Sequence, residues 1–367
     1  MLKRFFAFIV FVHGLVHLTG FTTAFGYVNI GHLAKPISQP AGVCWLIAAV
    51  MFVVTVALLL IKKAAWILVA FAAAILSQVL LISQWPDIIV GTILNVIILL
   101  VVFFSYEMYN FNRMVNREAA EMISSIKPDR TIVTKEMLKD LPPIVQKWLI
   151  NTGVVGKEKV QTVRLKQKGE MRTKPGSKWL QFTATEYFTV DTPAFNWQTT
   201  VSITPLLSMN GRDKFEKDSS EMLIKLLGWI KVVDAKEDYR MYQATMMRFL
   251  AEICWFPSAA LADYIKWEAL SATSAKAIMQ YKGVSVSGIF NFDEKGDMLS
   301  FTGDRWYGSG NTATKEKWFV ETNGYSTFNG IRIPGKSEVS WKLNKGDFNW
   351  LYLHVMDIEY NKTALYK

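Results

Sequence analysis

The sequence predicts a membrane all-α four-helix bundle followed by an α+β soluble domain built on a curved antiparallel sheet or open half-barrel with packed helices. Two observations carry that reading. Four apolar stretches, Phe5–Phe25, Ala41–Ile61, Ala64–Ser83 and Ile88–Ser105, fill the first third. Each has roughly 20 residues, the length that crosses a ~30 Å hydrocarbon layer as a helix. From Val160 onward the pattern changes to period two, broken by turn residues. The expected division is 1–110 for the bundle, 111–133 for a helical stalk and 134–367 for the β-rich domain.

The first stretch begins after Lys3 and Arg4, like a signal peptide. It is interrupted by His13 and His17, lacks a small-residue cleavage motif and is followed by three more spans, so it reads as a retained helix. Charges set the orientation. Lys3 and Arg4 precede span one, Lys62 and Lys63 form the turn after span two, and Arg113 and Arg117 follow span four. The opposite side has only Lys35 and no cation in Gln84–Asp87. The positive-inside rule then puts both termini in the cytoplasm. Trp85 suits the outer interface, and Tyr106 and Tyr109 the inner one. Gly14 and Gly20 suit close helix approach.

His13, His17, Gln78 and Asn95 are the polar groups of interest within the spans. The two histidines are four apart and share one helix face. At 1.5 Å per residue, His17, Gln78 and Asn95 lie at similar depth, roughly 11–13 Å below the outer surface. A polar layer joining spans one, three and four follows from that. It serves either as interhelical hydrogen bonding or as a ligand or proton site. No Asp or Glu lies within the spans to complete a metal shell, so neither metal nor cofactor is expected.

Span four is expected to continue as a helix to Ile126, stopped by Lys127-Pro128-Asp129. Thr134–Thr152 reads as two short helices. Thr134 caps the first, and Pro142-Pro143 opens the second, with Val145, Trp148 and Leu149 on its apolar face. Strands are expected at Val160–Met171, Trp179–Val190, Phe195–Thr204, Leu207–Phe215, Trp229–Val233, Ser274–Gln280, Val284–Phe292, Met298–Trp306, Lys317–Tyr325, Ile331–Leu343 and Trp350–Tyr360. Asp293–Gly296, Asn329-Gly330 and Lys345-Gly346 are turns. One helix, Asp238–Cys254, interrupts the strands and pairs Arg248 with Glu252 at i, i+4. That pair is either a structural ion pair or a site. The tryptophans of this part suit core packing, a greasy cavity or a surface patch.

Chemical motifs are absent. There is no Gly-x-Ser-x-Gly, P-loop, dinucleotide fingerprint, His-Glu-x-x-His or paired-cysteine motif. Gly308-Ser309-Gly310 is a turn by composition. Cys44 and Cys254 cannot pair. Net charge is +10, but no Lys/Arg tract is dense enough for nucleic acid. Glu186, Asp213, Asp234, Glu252, Asp304 and Glu338 are scattered singly, and His354 has no evident nucleophile partner.

Four segments resemble a bacterial family of unknown function. They are Val12–Phe21, Leu141-Pro-Pro143 with Gly153–Gly156, Arg248-Phe-Leu-Ala-Glu252 with Trp255-Phe-Pro257, and Gly330-Ile-Arg-Ile-Pro334. The resemblance implies a multi-pass protein of the bacterial cytoplasmic membrane and brings no substrate. The sheet-and-helix pattern is also similar to the half-barrel of periplasmic lipoprotein carriers. The expected function is a membrane-anchored binding protein whose β-rich domain holds an apolar or lipid-like small molecule at the bilayer surface. The alternatives are a membrane-associated hydrolase, which needs Glu186, Asp213, Glu252, Asp304 and His354 to converge, and a membrane scaffold or sensor.

Overall fold

The computed structural model describes residues 2–28, 36–83, 89–127, 129–236, 238–308 and 310–366. Lys35, Gln84–Asp87, Ile88, Pro128 and Ser309 lie outside them. The chain divides into two compact units, Met1–Asn112 with Leu227–Trp229, and Arg113–Leu226 with Ile230–Lys367.

The first unit holds helix α1 (Leu2–Ala24), α2 (Gln39–Leu60), α3 (Trp66–Ile82) and the first part of α4 (Ile89–Ser124). Three of them, α1, α2 and α4, are long and apolar enough to cross a membrane. The third, α3, has 17 residues, at the short end of what a bilayer needs. Ser38 caps α2, accepting a hydrogen bond from the Ala41 N–H. Lys62 takes a left-handed φ of 60° in the turn to α3. Small residues let the helices approach. A Cβ on Gly20 would lie 2.3 Å from the Trp45 ring, and one on Gly14 would lie 2.8 Å from the Phe52 Cβ. Val10, Phe52, Ala70, Ala73, Ala74 and Ile98 form a fully buried centre. The outward faces are apolar as well, with Phe8, Leu68 and Val90 exposed. A helix greasy on every side suits either a large protein core or a bilayer.

The second unit is one 13-stranded antiparallel sheet. It begins with the last turns of α4, a 3-10 turn at Glu136–Leu138 and α5 (Pro143–Asn151). The first meander is β1 (Thr162–Met171), β2 (Leu180–Thr189), β3 (Ala194–Ser202), β4 (Ser208–Glu216), β5 (Ser219–Leu226) and β6 (Ile230–Lys236). Helix α6 (Tyr239–Glu252) and 3-10 turns at Ile253–Trp255 and Pro257–Leu261 follow. The second meander is β7 (Ile265–Ser271), β8 (Ser274–Tyr281), β9 (Val284–Phe292), β10 (Met298–Tyr307), β11 (Thr314–Phe328), β12 (Ile331–Leu343) and β13 (Gly346–Tyr360). A β1–β13 pairing joins the two meanders, leaving β6 and β7 as the outer edges.

That order dictates what α6 must do. The chain leaves one edge of the sheet at β6 and re-enters at the other edge at β7. Helix α6 therefore crosses one face, touching β4 and β5 on one side and β8, β9 and β10 on the other. β5 and β9 are nine strand intervals apart in the sheet order. Laid flat at ~4.8 Å per strand they would be about 43 Å apart, far wider than a helix of ~10–12 Å diameter. The sheet consequently curls around α6. Phe188, Phe195, Phe215, Phe249 and Phe256 fill the space between helix and strands, all fully buried.

Several local expectations need revision. Strands β5 and β7 were not legible: β5 places Met222, Leu223 and Ile224 in a run without alternation, and β7 is a seven-residue edge strand. The first short helix is a 3-10 turn whose cap position is Lys135, without a side-chain cap bond, rather than Thr134. The end of α4 is not a bare stalk. Ala119, Met122 and Ile123 are buried against Tyr187 and Ala194 of the sheet. Glu118 lies 3.2 Å from Arg212, which also binds Glu221 at 2.8 Å.

Replacing Gly20 by Val would drive methyl groups into the Trp45 ring. We expect a loss of about 1–3 kcal/mol, the usual cost of overpacking, read as a lower midpoint for thermal unfolding of the helical unit in detergent.

Candidate functional site

Two desolvated polar clusters stand out, one in each unit. In the second, strand register does the assembly. Glu186 of β2 pairs with Trp197 of β3, which pairs with Asp213 of β4, so the three side chains stand side by side on one face. Arg248 descends from α6 into that row. Its Nη2 donates to Glu186 at 2.6 Å, its Nη1 to Asp213 at 2.8 Å and its Nε to Glu252 at 2.7 Å. The guanidinium also lies over the rings of Phe195 and Trp197, at 4.7 and 4.9 Å. Gln167 of β1 completes the cage. It donates to the second Glu186 oxygen at 3.2 Å and accepts from the Trp197 indole at 2.9 Å.

The cage is dry. The Glu186 side chain is 0% exposed and that of Arg248 is 13% exposed. A second guanidinium, Arg305 of β10, donates to the Ala244 carbonyl at 3.0 Å and lies over Trp318 and Trp341. Burial, partly offset by Asp213 and Glu252, brings it down to about 10. Three carboxyl groups thus bind one guanidinium, with that of Arg305 beyond ion-pair distance. Burial, with Glu252 and Asp213 crowding it, lifts Glu186 well above the ordinary carboxyl range despite Arg248. Burial raises Glu252 too. Conversely, the three carboxylates hold the Arg248 proton more tightly than usual. Asp213 Oδ1 and Glu252 Oε2 have no hydrogen-bond partner among the described residues.

The five groups expected to converge for hydrolysis separate into two sets. Glu186, Asp213 and Glu252 meet at Arg248. Asp304 is exposed and pairs with Lys317 at 3.3 Å. His354 on β13 faces Lys336 and Lys168 across the ladder. Burial first, then those lysines, hold its imidazole below the usual value. Cys254 is buried, and burial pushes its thiol well up, the opposite of a nucleophile. Trp255 and the Ile-Pro segment meet as well, the Trp255 indole donating to the Pro334 carbonyl at 3.1 Å.

The second cluster joins α1, α3 and α4. His13 Nε2–H donates to Asn95 Oδ1 at 3.0 Å. Asn95 Nδ2 donates to Ser77 Oγ at 2.9 Å and to Gln78 Oε1 at 3.1 Å. The Ser77 hydroxyl donates to His17 Nε2 at 2.8 Å, and His17 Nδ1–H donates to the His13 carbonyl at 2.8 Å. Gln78 Nε2 donates to Thr92 Oγ1 at 3.2 Å. These roles are mutually consistent with His13 carrying a proton on Nε2 and His17 on Nδ1. The structure therefore brings His13, His17, Gln78 and Asn95 together, with Ser77 and Thr92 as members the sequence did not single out. Beside it is a cavity of about 320 Å³. Val12, Val16, Trp45, Leu81, Gly91 and Leu94 form apolar walls, and His13, His17 and Thr19 are its polar lining. In the β domain, where an apolar cavity was expected, α6 packs against the sheet through β4, β5, β8, β9 and β10. Among the described residues, no group of three His, Cys, Asp or Glu is placed to hold a metal ion.

Fold and clusters together define a two-part protein, with an apolar helical unit and a 13-stranded β domain closed by a charged helix. Residues 131–353 match the Family of unknown function (DUF6544), and the chain belongs to that family. Apart from Leu227–Trp229, the matched residues fall in the second unit. No curated protein matches. Among solved structures, a DUF1329 family protein from Desulfovibrio piger is similar over 59% of this chain and 92% of its own, with 8% identity and a TM-score of 0.31. That likeness is too slight to bear on function.

Removing Arg248 strands three buried carboxyls. We expect Arg248→Leu to cost about 3–5 kcal/mol, measured by denaturant unfolding of the full chain in detergent. Glu186 gives a pH signature. Its folded-state value lies above the ordinary 4.5, so the protonated form stabilises the fold. That contribution is complete below pH 4.5 and is lost as pH rises through the folded value. Unfolding followed against pH should show this decline in the wild type, and Glu186→Gln should flatten it.

Proposed function

We propose that this is a membrane-anchored binding protein whose helical unit holds an apolar or lipid-like molecule beside His13 and His17. One observation carries the reading: a cavity of about 320 Å³ with almost wholly apolar walls and two imidazoles and the Thr19 hydroxyl as its polar lining. A tail-bearing molecule with one hydrogen-bonding group matches that chemistry. Lateral access suits a ligand already dissolved in the bilayer, because the faces around the cavity carry exposed apolar side chains such as Phe8 and Val90.

The charges favour a cytoplasmic-membrane placement with both termini inside. Lys3, Arg4, Lys62, Lys63, Arg113 and Arg117 then lie on the cytoplasmic side. On this reading the β domain works at the membrane surface and the lipid bilayer is the first partner. A hydrolase is less well supported, because the converging carboxylates are sealed around Arg248 rather than open to a substrate.

Filling the cavity tests the proposal. The wild-type chain and Leu94→Trp would be purified in mild detergent, then compared by lipid extraction and native mass spectrometry. The wild type should retain a tail-bearing molecule at near-stoichiometric level, and Leu94→Trp should lose most of it. An empty wild type, or equal retention by a folded variant, would overturn the assignment.

A further inference from the structure

β9 and β10 begin their partnership as neighbours and then part. Their pairing runs from Phe292 with Met298 to Gly288 with Gly303 and stops there. Beyond it, Val284–Ser287 stay paired with β8, and Asp304–Tyr307 stay paired with β11, but the two segments no longer bond to each other. A split inside a sheet leaves backbone polar groups seeking partners. Gln243 of α6 spans it. Its Oε1 accepts from the Trp306 indole at 2.8 Å, and its Nε2 donates to the Ser285 carbonyl at 3.4 Å. What remains is a cleft of about 210 Å³ lined by Gln243, Ser285, Ser287, Arg305, Trp306 and Lys315, together with Met247, Val286 and Asp304.

The charge in and around this cleft is uncompensated. Arg240 lies over the Trp306 ring at 5.0 Å and donates to the Gly310 carbonyl, and Lys315 lies over the same ring at 5.3 Å. Among the described residues, neither cation has a carboxylate within 4.0 Å, and neither has Arg305. Asp304 is the acidic group in the lining, and Lys317 neutralises it. Glu316 faces Arg305 across the β10–β11 ladder without reaching ion-pair distance. Arg305 has Asp213 and Glu252 for company on its inner side, so the surplus belongs to Arg240 and Lys315. Ser285 and Ser287 add hydroxyl donors.

We propose that the gap between β9 and β10 is a binding site for a phosphate-bearing group, gripped by Lys315 and Arg240 and completed by Ser285, Ser287 and Arg305. Two cations and two hydroxyls suit a tetrahedral oxyanion. An apolar molecule would leave both cations unpaired, and a zwitterion would bring its own cation to compete with them. This site is in the β domain and is independent of the cavity among the helices. The phosphate belongs either to a lipid headgroup or to a free small molecule, and the same cations would hold it in both cases.

The test uses the full chain in uncharged detergent. In one arm, inorganic phosphate is titrated calorimetrically at low salt. In the other, native mass spectrometry follows retention of phosphatidylglycerol against phosphatidylcholine. The probe variant is Arg240→Ala with Lys315→Ala. Lys315→Glu alone, at an exposed position, serves if the double variant does not fold. Saturable phosphate binding weakened at least tenfold by the variant assigns a free phosphate compound. Selective retention of phosphatidylglycerol, lost in the variant while phosphate itself does not bind, assigns a lipid headgroup. If neither anion binds the wild type, or if a folded variant binds both equally well, the proposal fails.

Discussion

Everything in the β domain depends on burying the charge of Arg248. The chain order obliges α6 to cross from one edge of the sheet to the other, and its 14 residues supply the post around which the sheet curls. Apolar contacts alone would let that post slide or rotate, because hydrophobic attraction has no direction. Three carboxyls fixed at 2.6–2.8 Å remove that freedom. Two of them come from strands and one from the helix itself, so the bonds specify both the depth of the helix and its rotation about its axis. Replacing the network by apolar side chains of the same volume would not necessarily weaken the fold. What the network contributes is a unique seating for a helix that several sliding registers would otherwise satisfy.

The same seating explains why the β domain has a filled centre. The aromatic load of the sequence is compatible with a greasy cavity or with a packed core, and topology decides between them. Phe249 and Phe256 sit on the crossing segment and project into the ring of Phe188, Phe195 and Phe215. Their burial removes from water the surface that a lipid-like ligand would otherwise have covered. The apolar opening in this chain is instead where helix packing is interrupted by polar bonds. His13, His17, Ser77 and Asn95 must satisfy one another in a low-dielectric setting, and that geometric demand holds the helices at fixed spacing. The walls beside them do not collapse completely.

Much of this architecture was legible from residue order. The apolar runs, the Asn329-Gly330 turn with both residues at positive φ, the start of α6 at its Asp238 cap and the alternation in β9 all follow from local rules. So does the i, i+4 pair of Arg248 and Glu252. The rest depends on register, which no short window contains. Glu186 and Asp213 are 27 positions apart in sequence and become neighbours only because β2, β3 and β4 pair in one particular phase. Ser77 looks like any small residue in an apolar helix until His17 is placed opposite it. Gln167 and Trp197 read as ordinary strand residues, and Arg305 reads as a surface cation until its strand is known to face α6.

The two clusters are also built from different chemistry. Among the apolar helices the members are imidazoles, amides and hydroxyls that bond one another. In the β domain the groups are ionisable, and one guanidinium is held by three carboxyls. The helix that carries Arg248 also carries Arg240 and Gln243 at its outer end. The cage that seats α6 therefore also sets where the strut across the split between β9 and β10 stands.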